Sequence, residues 1–219
     1  MNNEKKLKIL LIGPVSTGKT TIANFLSDSN ENSTGDNRPT KGVRILEFVV
    51  QGVKTKGIYQ RSVDVELWDC SGDNRADTLH FYSSPLPAIP AGDHRTRLPL
   101  HLELCLEYAY WSLCCPFRYE TCWPAMQHAA NGIVFVYSEA SNQQRSALNK
   151  LYNYFVEEAR FPDNCCFIVK NQLSDEEGGR FAENPLPNLN HAVVNLEVKG
   201  AEFKKSFSSF LSAVVKSGS

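Results

Sequence analysis

The feature that most narrows the folds open to this chain is Gly13-Pro14-Val15-Ser16-Thr17-Gly18-Lys19-Thr20, which matches the phosphate-loop pattern G-x-x-x-x-G-K-[ST]. Its flanks agree with it. Leu7-Lys8-Ile9-Leu10-Leu11-Ile12 before it is a short apolar run of strand type, and Thr21-Ile22-Ala23-Asn24-Phe25-Leu26 after it carries helical spacing. Gly13 and Gly18 admit backbone conformations that turn successive N–H groups toward an anion, and a helix N-terminus adds free donors and partial positive charge. A polyphosphate fits such a nest. Lys19 would then reach the β- and γ-phosphates, the Thr20 hydroxyl would take one position on Mg²⁺, and Thr21 would follow in the first helical turn.

At 219 residues the chain exceeds a minimal domain of this type, so a single domain over residues 1–219 with an insertion is expected rather than two full domains. A formal net charge of −1 argues against a nucleic-acid or polybasic membrane footprint. The polar stretch from Met1 to Lys8 leads directly into a strand and leaves no room for the apolar core of a secretory signal, so a cytosolic location is expected. The seven cysteines include the adjacent pairs Cys114-Cys115 and Cys165-Cys166 rather than C-x-x-C spacing. Buried reduced thiols are expected over a disulfide framework or a zinc site.

Strand signals alternating with helical segments predict an α/β fold with a mainly parallel central sheet. Asp28 to Arg38 reads as a polar loop. Val43 to Val50 and Asp64 to Trp68 are strand candidates joined through Gly52 to Gly57, and this pair could form an antiparallel edge. Ile133 to Tyr137 and Cys166 to Val169 are buried-type strands, with Leu148, Leu151, Tyr152, Phe155, Val156 and Ala159 on one helical face between them. His191 to Val194 is a weaker last strand, and Phe203, Phe207, Phe210, Leu211 and Val214 mark a closing helix.

Two further segments carry chemistry. Trp68-Asp69-Cys70-Ser71-Gly72-Asp73 sets an Asp-x-x-Gly at a strand end, in the chain order a nucleotide switch needs. Asp69 there can hold Mg²⁺ through a water, and the Gly72 N–H can approach a γ-phosphate because no side chain obstructs it. Arg38-Pro39-Thr40-Lys41-Gly42-Val43 lies where a loop can fold over bound triphosphate. Thr40 could give its hydroxyl to Mg²⁺ and its N–H to the γ-phosphate, so the loop would order only with that phosphate present.

With these motifs in register, the chain resembles a Rab-like small GTPase of the Ras superfamily. More narrowly, Pro39-Thr40-Lys41-Gly42-Val43-Arg44-Ile45-Leu46-Glu47-Phe48, Trp68-Asp69-Cys70-Ser71-Gly72-Asp73 and Tyr119-Glu120-Thr121-Cys122-Trp123-Pro124-Ala125 resemble the Rab-like subunit family of the intraflagellar transport B complex. The resemblance implies a P-loop small-GTPase fold, GTP or GDP with Mg²⁺ as ligands, and Thr20, Thr40 and Asp69 as metal ligands. It also implies coiled-coil partner subunits of that complex, a chain monomeric on its own, and a place in the cytoplasm and at the cilium or flagellum and its base.

Departures from ordinary small GTPases bear on the chemistry. Where a glutamine usually orients the attacking water this chain has Asp73, so slow GTP hydrolysis is expected, the alternative being Asp73 as general base. The guanine-reading Asn-Lys-x-Asp is replaced by Val169-Lys170-Asn171-Gln172-Leu173-Ser174-Asp175. Lys170 could stack its stem on the base and Asn171 or Asp175 could give polar contacts, yet weaker discrimination of GTP from ATP is expected. Val194-Asn195-Leu196-Glu197 lies where relatives contact the guanine O6 through backbone.

Residues 74–117 form the expected insertion after the second switch: a proline-rich first part, then an apolar stretch from Leu98 to Phe117 interrupted by His101, Glu103 and Glu107. Packing is favoured there over a partner groove, and a membrane span is not expected. The C-terminal Val214 to Ser219 offers no cysteine for prenylation, so no lipid anchor is expected. Three functions fit these readings: a nucleotide-loaded binding module, an active switch whose missing catalytic group comes from a partner, and, least suited for want of a lid arginine cluster, a P-loop kinase or ATPase.

Overall fold

The computed structural model describes residues 6–29, 40, 42–54, 60–72, 119–139, 141–172 and 184–218. Asp73, the expected insertion at 74–117, Lys41, Asp175 and most of the expected polar loop after Asp28 lie outside the described residues. The chain divides into one unit of Met1–Gly72 with Ala125–Ser219 and a second of Asp73–Pro124. Of the second, a 3₁₀ turn at Tyr119–Cys122 is described, and a short helix α2, Trp123–Gln127, follows it.

The first unit is an α/β sandwich on a six-stranded sheet of order β2-β3-β1-β4-β5-β6. Its strands are β1 (Leu7–Ile12), β2 (Val43–Lys54), β3 (Gln60–Cys70), β4 (Gly132–Tyr137), β5 (Cys166–Asn171) and β6 (Asn190–Val194). Only β2 and β3 pair antiparallel, as the edge reading anticipated, and the other described pairings are parallel. β4 is buried at all six positions, which is why it reads as a continuous apolar run rather than as an alternation: helices cover both of its faces. Helix α1 (Lys19–Leu26) and the closing helix α4 (Leu196–Ser217) pack Ile22, Leu26, Phe203, Phe207, Phe210 and Leu211 against Ile9, Leu11, Val134 and Val169. Every residue marked for the closing helix is buried, and truncating one of its phenylalanines to alanine costs about 3–5 kcal/mol.

Three expectations are corrected by the fold. The β2–β3 pair runs longer than its apolar cores because Gly52, taken as part of the connection, sits inside β2 at φ 76°. There the register slips between Val50 and Val53, a bulge that lets the strand continue and buries Val53. The helix α3 (Asn142–Tyr152) does not stay α-helical through its apolar stripe, since Asn153–Glu158 winds as a π-helix. The wider i→i+5 turns break the 3.6-residue phase, so Leu148, Phe155 and Val156 face the core while Ala159 ends exposed. Burial of the thiols holds for Cys70, Cys165 and Cys166 but not for Cys122, which is exposed.

The parallel strands deliver their carboxyl ends to one edge of the sheet, where a crevice for ligands forms in folds of this kind. The loop after β1, the end of β3 and the end of β5 all meet there.

Candidate functional site

The loop between β1 and α1 is shaped by its backbone. A Cβ at Gly13 would stand 2.1 Å from the Val136 carbonyl oxygen, so only glycine lets β1 turn away beside β4. Gly18 caps α1 in the left-handed region at φ 80° and ψ 23°, and Ser16 holds φ 59°, a conformation a serine adopts at a cost of about 1 kcal/mol or more. No side chain caps α1 and its first turn holds no acidic residue, which leaves its N-terminal field to an anion. The buried Thr17 hydroxyl donates to the Pro14 carbonyl at 3.0 Å and braces the loop from within, while Val15, Ser16 and Thr21 are exposed around its mouth.

Lys19 lies folded along this loop. Its Nζ donates to the carbonyls of Gly13 at 3.0 Å and Pro14 at 2.6 Å, and burial lowers its pKa from 10.5 to about 8. An arriving anion would offset that desolvation and favour the ammonium. Gly72 crosses directly over the same place: a Cβ there would meet Lys19 Nζ at 2.5 Å and the Gly13 carbonyl oxygen at 2.6 Å. Its missing side chain is what permits so close an approach.

Behind the lysine sits Asp69, near the end of β3 and fully buried. Its Oδ2 accepts a hydrogen bond from the Thr20 hydroxyl at 2.9 Å and one from the Thr40 hydroxyl at 3.5 Å, and the two hydroxyls stand 2.8 Å apart. Thus the three expected metal ligands come together from α1, the segment before β2, and β3. Burial raises the Asp69 pKa, opposed by the Thr20 hydrogen bond and by the charges of Arg44 and Lys19. Its Oδ1 has no hydrogen-bond partner among the described residues. A buried carboxylate oxygen left open beside two hydroxyls is an all-oxygen donor set, which suits a hard cation such as Mg²⁺. Among the described residues no three His, Cys, Asp or Glu gather as a softer site would require.

The two expected switch segments are also tied to each other, because the Ser71 N–H donates to the Gly42 carbonyl at 2.8 Å.

The end expected to face a base is built differently. Asn171, at the end of β5, is 2% exposed and donates its side-chain amide to the Thr17 carbonyl at 3.1 Å. It braces the phosphate loop from behind. Lys170 precedes it and so points to the opposite face of the strand. There it lies near enough to His191 to help lower that imidazole's pKa, burial being the larger cause, and His191 Nε2 stands 2.9 Å from the buried Tyr137 hydroxyl. Gln172 continues the strand line, its N–H donating to the Val194 carbonyl at 2.7 Å, and Asn195 caps α4 by accepting from the Glu197 N–H at 3.1 Å.

Sequence reasoning passed over Arg44 and Asn24. Arg44 faces Asp69 across the β2–β3 ladder, its guanidinium 3.6 Å from Oδ2, and it donates to the side-chain carbonyl of the buried Asn24 on α1. A signal existed, since arginine is an odd choice inside the apolar strand Val43-Arg44-Ile45-Leu46 and asparagine an odd one inside a helix.

Comparison with known proteins agrees with this architecture. The family model described as "Ras of Complex, Roc, domain of DAPkinase" matches residues 8–88. The chain is 28% identical over 214 residues to the Intraflagellar transport protein 22 homolog of Danio rerio, covering 96% of this chain and 91% of that one. It is likewise 28% identical over 215 residues to the homolog from Homo sapiens, covering 97% and 91%. Among solved structures, T. brucei IFT22 with GTP superposes at a TM-score of 0.52 with 19% identity, covering 95% of each chain. The GDP-bound form gives 0.55 with 18% identity, covering 96% of this chain and 97% of that one. The T. brucei IFT22/74/81 GTP-bound structure gives 0.53 with 18% identity, covering 93% and 95%. The small-GTPase fold and the resemblance to the Rab-like transport subunits, both expected from the motifs, are borne out.

Proposed function

We propose that this chain, a Rab-like small GTPase in fold and similar along nearly its whole length to intraflagellar transport 22 homologs, is the guanine-nucleotide-binding subunit of an intraflagellar transport B complex. Nucleotide acts first as a structural ligand. The phosphate loop from Gly13 to Thr20, with Thr21, takes the phosphates; Thr20, Thr40 and Asp69 hold Mg²⁺; and Gly72 meets the γ-phosphate. When bound, the cation supplies neutralisation of the phosphate charge. The chain's own part is to keep Asp69 buried and Thr20 and Thr40 turned toward it. The observation that carries this reading is the gathering of Lys19, Thr20, Thr40 and the half-satisfied Asp69 at one end of the sheet, next to a loop whose first glycine no other residue can replace.

Loaded in this way, Thr40 and the stretch from Asp69 to Gly72 present an ordered surface to coiled-coil partner subunits. In support, a relative of the same fold has been solved as an IFT22/74/81 assembly with GTP. The chain is a monomer by itself and works in the cytoplasm and at the cilium or flagellum and its base. Hydrolysis is slow, because a carboxylate at Asp73 lacks the paired donor and acceptor of a glutamine amide. With Asn171 bracing the phosphate loop and Lys170 on the other face of β5, base choice falls to the backbone after Val194 and the rest of the segment that replaces Asn-Lys-x-Asp, so discrimination of GTP from ATP is weak.

The test has two parts. Nucleotide released by denaturing the purified chain is identified by base and phosphate number, with GTP or GDP at about one per chain expected. Capture by the chain's coiled-coil partners is then compared for wild type and Thr20→Ala, with loss of capture expected although turnover is negligible in both. ATP in place of guanine nucleotide would overturn the base assignment. Undiminished capture by the variant would overturn the gating. Partner-stimulated phosphate release would instead favour an active switch that receives its catalytic group in trans.

A further inference from the structure

Two charged groups, Lys19 and Arg44, act on the Asp69 carboxylate, and only Arg44 belongs to neither the phosphate loop nor the expected metal shell. Arg44 sits directly opposite Asp69 in the antiparallel β2–β3 register, so both side chains leave the sheet on one face. Its guanidinium approaches Oδ2 at 3.6 Å, the oxygen to which the Thr20 and Thr40 hydroxyls also turn. The same nitrogen donates to the side-chain carbonyl of Asn24, which lies one helical turn beyond Thr20 on α1 and is 3% exposed. One guanidinium therefore ties β2, β3 and α1 together around the carboxylate. It does so from behind. Asn24 is on the side of Thr20 away from the loop, so Arg44 does not aim at the position of the phosphates.

We propose that Arg44 is a built-in cation that does part of the divalent ion's work, holding Asp69, Thr20 and the start of β2 in the nucleotide-binding arrangement and thereby weakening the dependence of nucleotide retention on Mg²⁺. Arg44 is a positioning residue, acting through Asp69, and the inference rests on the nucleotide-binding reading above. A cation already beside Oδ2 competes with Mg²⁺ for the field of the same carboxylate, so it lowers Mg²⁺ affinity while it keeps the carboxylate oriented when Mg²⁺ is scarce. Such coupling between two ligands of one group is reciprocal. Removing the charge must raise the benefit that Mg²⁺ confers on nucleotide and tighten Mg²⁺ itself.

The experiment follows release of a fluorescent GTP analogue from the full chain over free Mg²⁺ from chelated to millimolar, in wild type, Arg44→Gln and Arg44→Lys. Glutamine keeps a hydrogen-bond donor and removes the charge; lysine keeps the charge. In wild type, chelation should speed release by less than about tenfold, whereas in Arg44→Gln it should do so by about a hundredfold or more, the two converging within about threefold at saturating Mg²⁺. Half-saturating Mg²⁺ should fall several-fold in Arg44→Gln, and Arg44→Lys should track wild type. Melting of the nucleotide-free proteins, read at the same Mg²⁺ concentrations, separates out any plain loss of stability, which shifts release equally at every concentration. Parallel Mg²⁺ curves for wild type and Arg44→Gln would overturn the proposal. If Arg44→Gln does not fold, wild type alone decides, since a hundredfold acceleration on chelation contradicts a built-in cation. Failure of wild type to hold the analogue at any Mg²⁺ would remove the proposal together with the nucleotide reading beneath it, and is recognised because it needs no variant.

Discussion

The two ends of the candidate cleft are made in opposite ways. At the phosphate end, Lys19, Thr20, Thr40, Asp69 and Gly72 arrive from three separate segments and touch one another within a few ångströms. At the base end, among the described residues, Asn171 is the one expected residue that turns toward the phosphate loop, and it does so to brace Thr17 rather than to face outward. Lys170 points to the other face. Among the described residues, then, the end suited to a tail common to all nucleotides is a dense, buried, charged cluster and the other end is sparse, which teaches that grip on the tail and choice of base are open to separate tests.

Changes at the two ends should therefore differ in kind as well as in size. Lys19→Ala removes the buried ammonium and is expected to weaken GTP by about a hundredfold or more, roughly 3 kcal/mol, in a fluorescence titration, with ATP falling in parallel. A loss confined to one base would break the comparison. Next in size, Gly72→Ala forces a methyl into a gap where Lys19 Nζ and the Gly13 carbonyl lie 2.5 and 2.6 Å away. The crowding should cost about 1–3 kcal/mol, read as a lower melting temperature and as roughly tenfold weaker nucleotide. An unchanged variant would mean that the segment over the loop is free to lift.

Asn171→Ala leaves the Thr17 carbonyl without its donor and is expected to cost about 1–2 kcal/mol of stability, seen by denaturant titration. Its GTP-to-ATP preference should match that of wild type, and wild type should itself prefer GTP by less than about a thousandfold in competition, for want of a fully paired base reader. A large change in that ratio on Asn171→Ala would move Asn171 from brace to reader. The smallest effect is expected at His191. Burial and the neighbouring Lys170 hold its imidazole neutral below its ordinary pKa of 6.5, so the unfolded chain takes up the proton first as pH falls. Stability should decline as pH drops below about 6.5 and level off under the depressed folded value, and His191→Gln should flatten that slope in melting curves taken from about pH 7.5 to 5.5. A steeper slope in the variant would place the titrating group elsewhere.

Much of the phosphate end was legible in the amino-acid order because its conformational demands are local. Gly13, Gly18 and Lys19 stand in one short run, and the strand and helix beside them are periodic enough to read. Asp69 and Thr40 meet because the carboxyl end of β3 lies beside the amino end of the antiparallel β2, with Val43 opposite Cys70. What was not legible depends on pairing at a distance. The register that puts Arg44 opposite Asp69 follows from the whole β2–β3 ladder, including a bulge at Gly52 that resembled a turn. The change from α to π winding after Tyr152 follows from packing rather than from composition, and it undid the reading of Ala159. Lys170 was read as a stem beneath the base when strand alternation sends it to the other face, a point that the parity of Lys170 and Asn171 already contains.

The most direct test of the central claim is isothermal calorimetry on nucleotide-stripped chain, titrated with GTP and then with ATP, each with and without Mg²⁺. A saturable signal at about one nucleotide per chain, stronger for GTP and lost in Lys19→Ala, is the result the buried phosphate cluster requires. Absence of heat with either nucleotide under Mg²⁺ would contradict it.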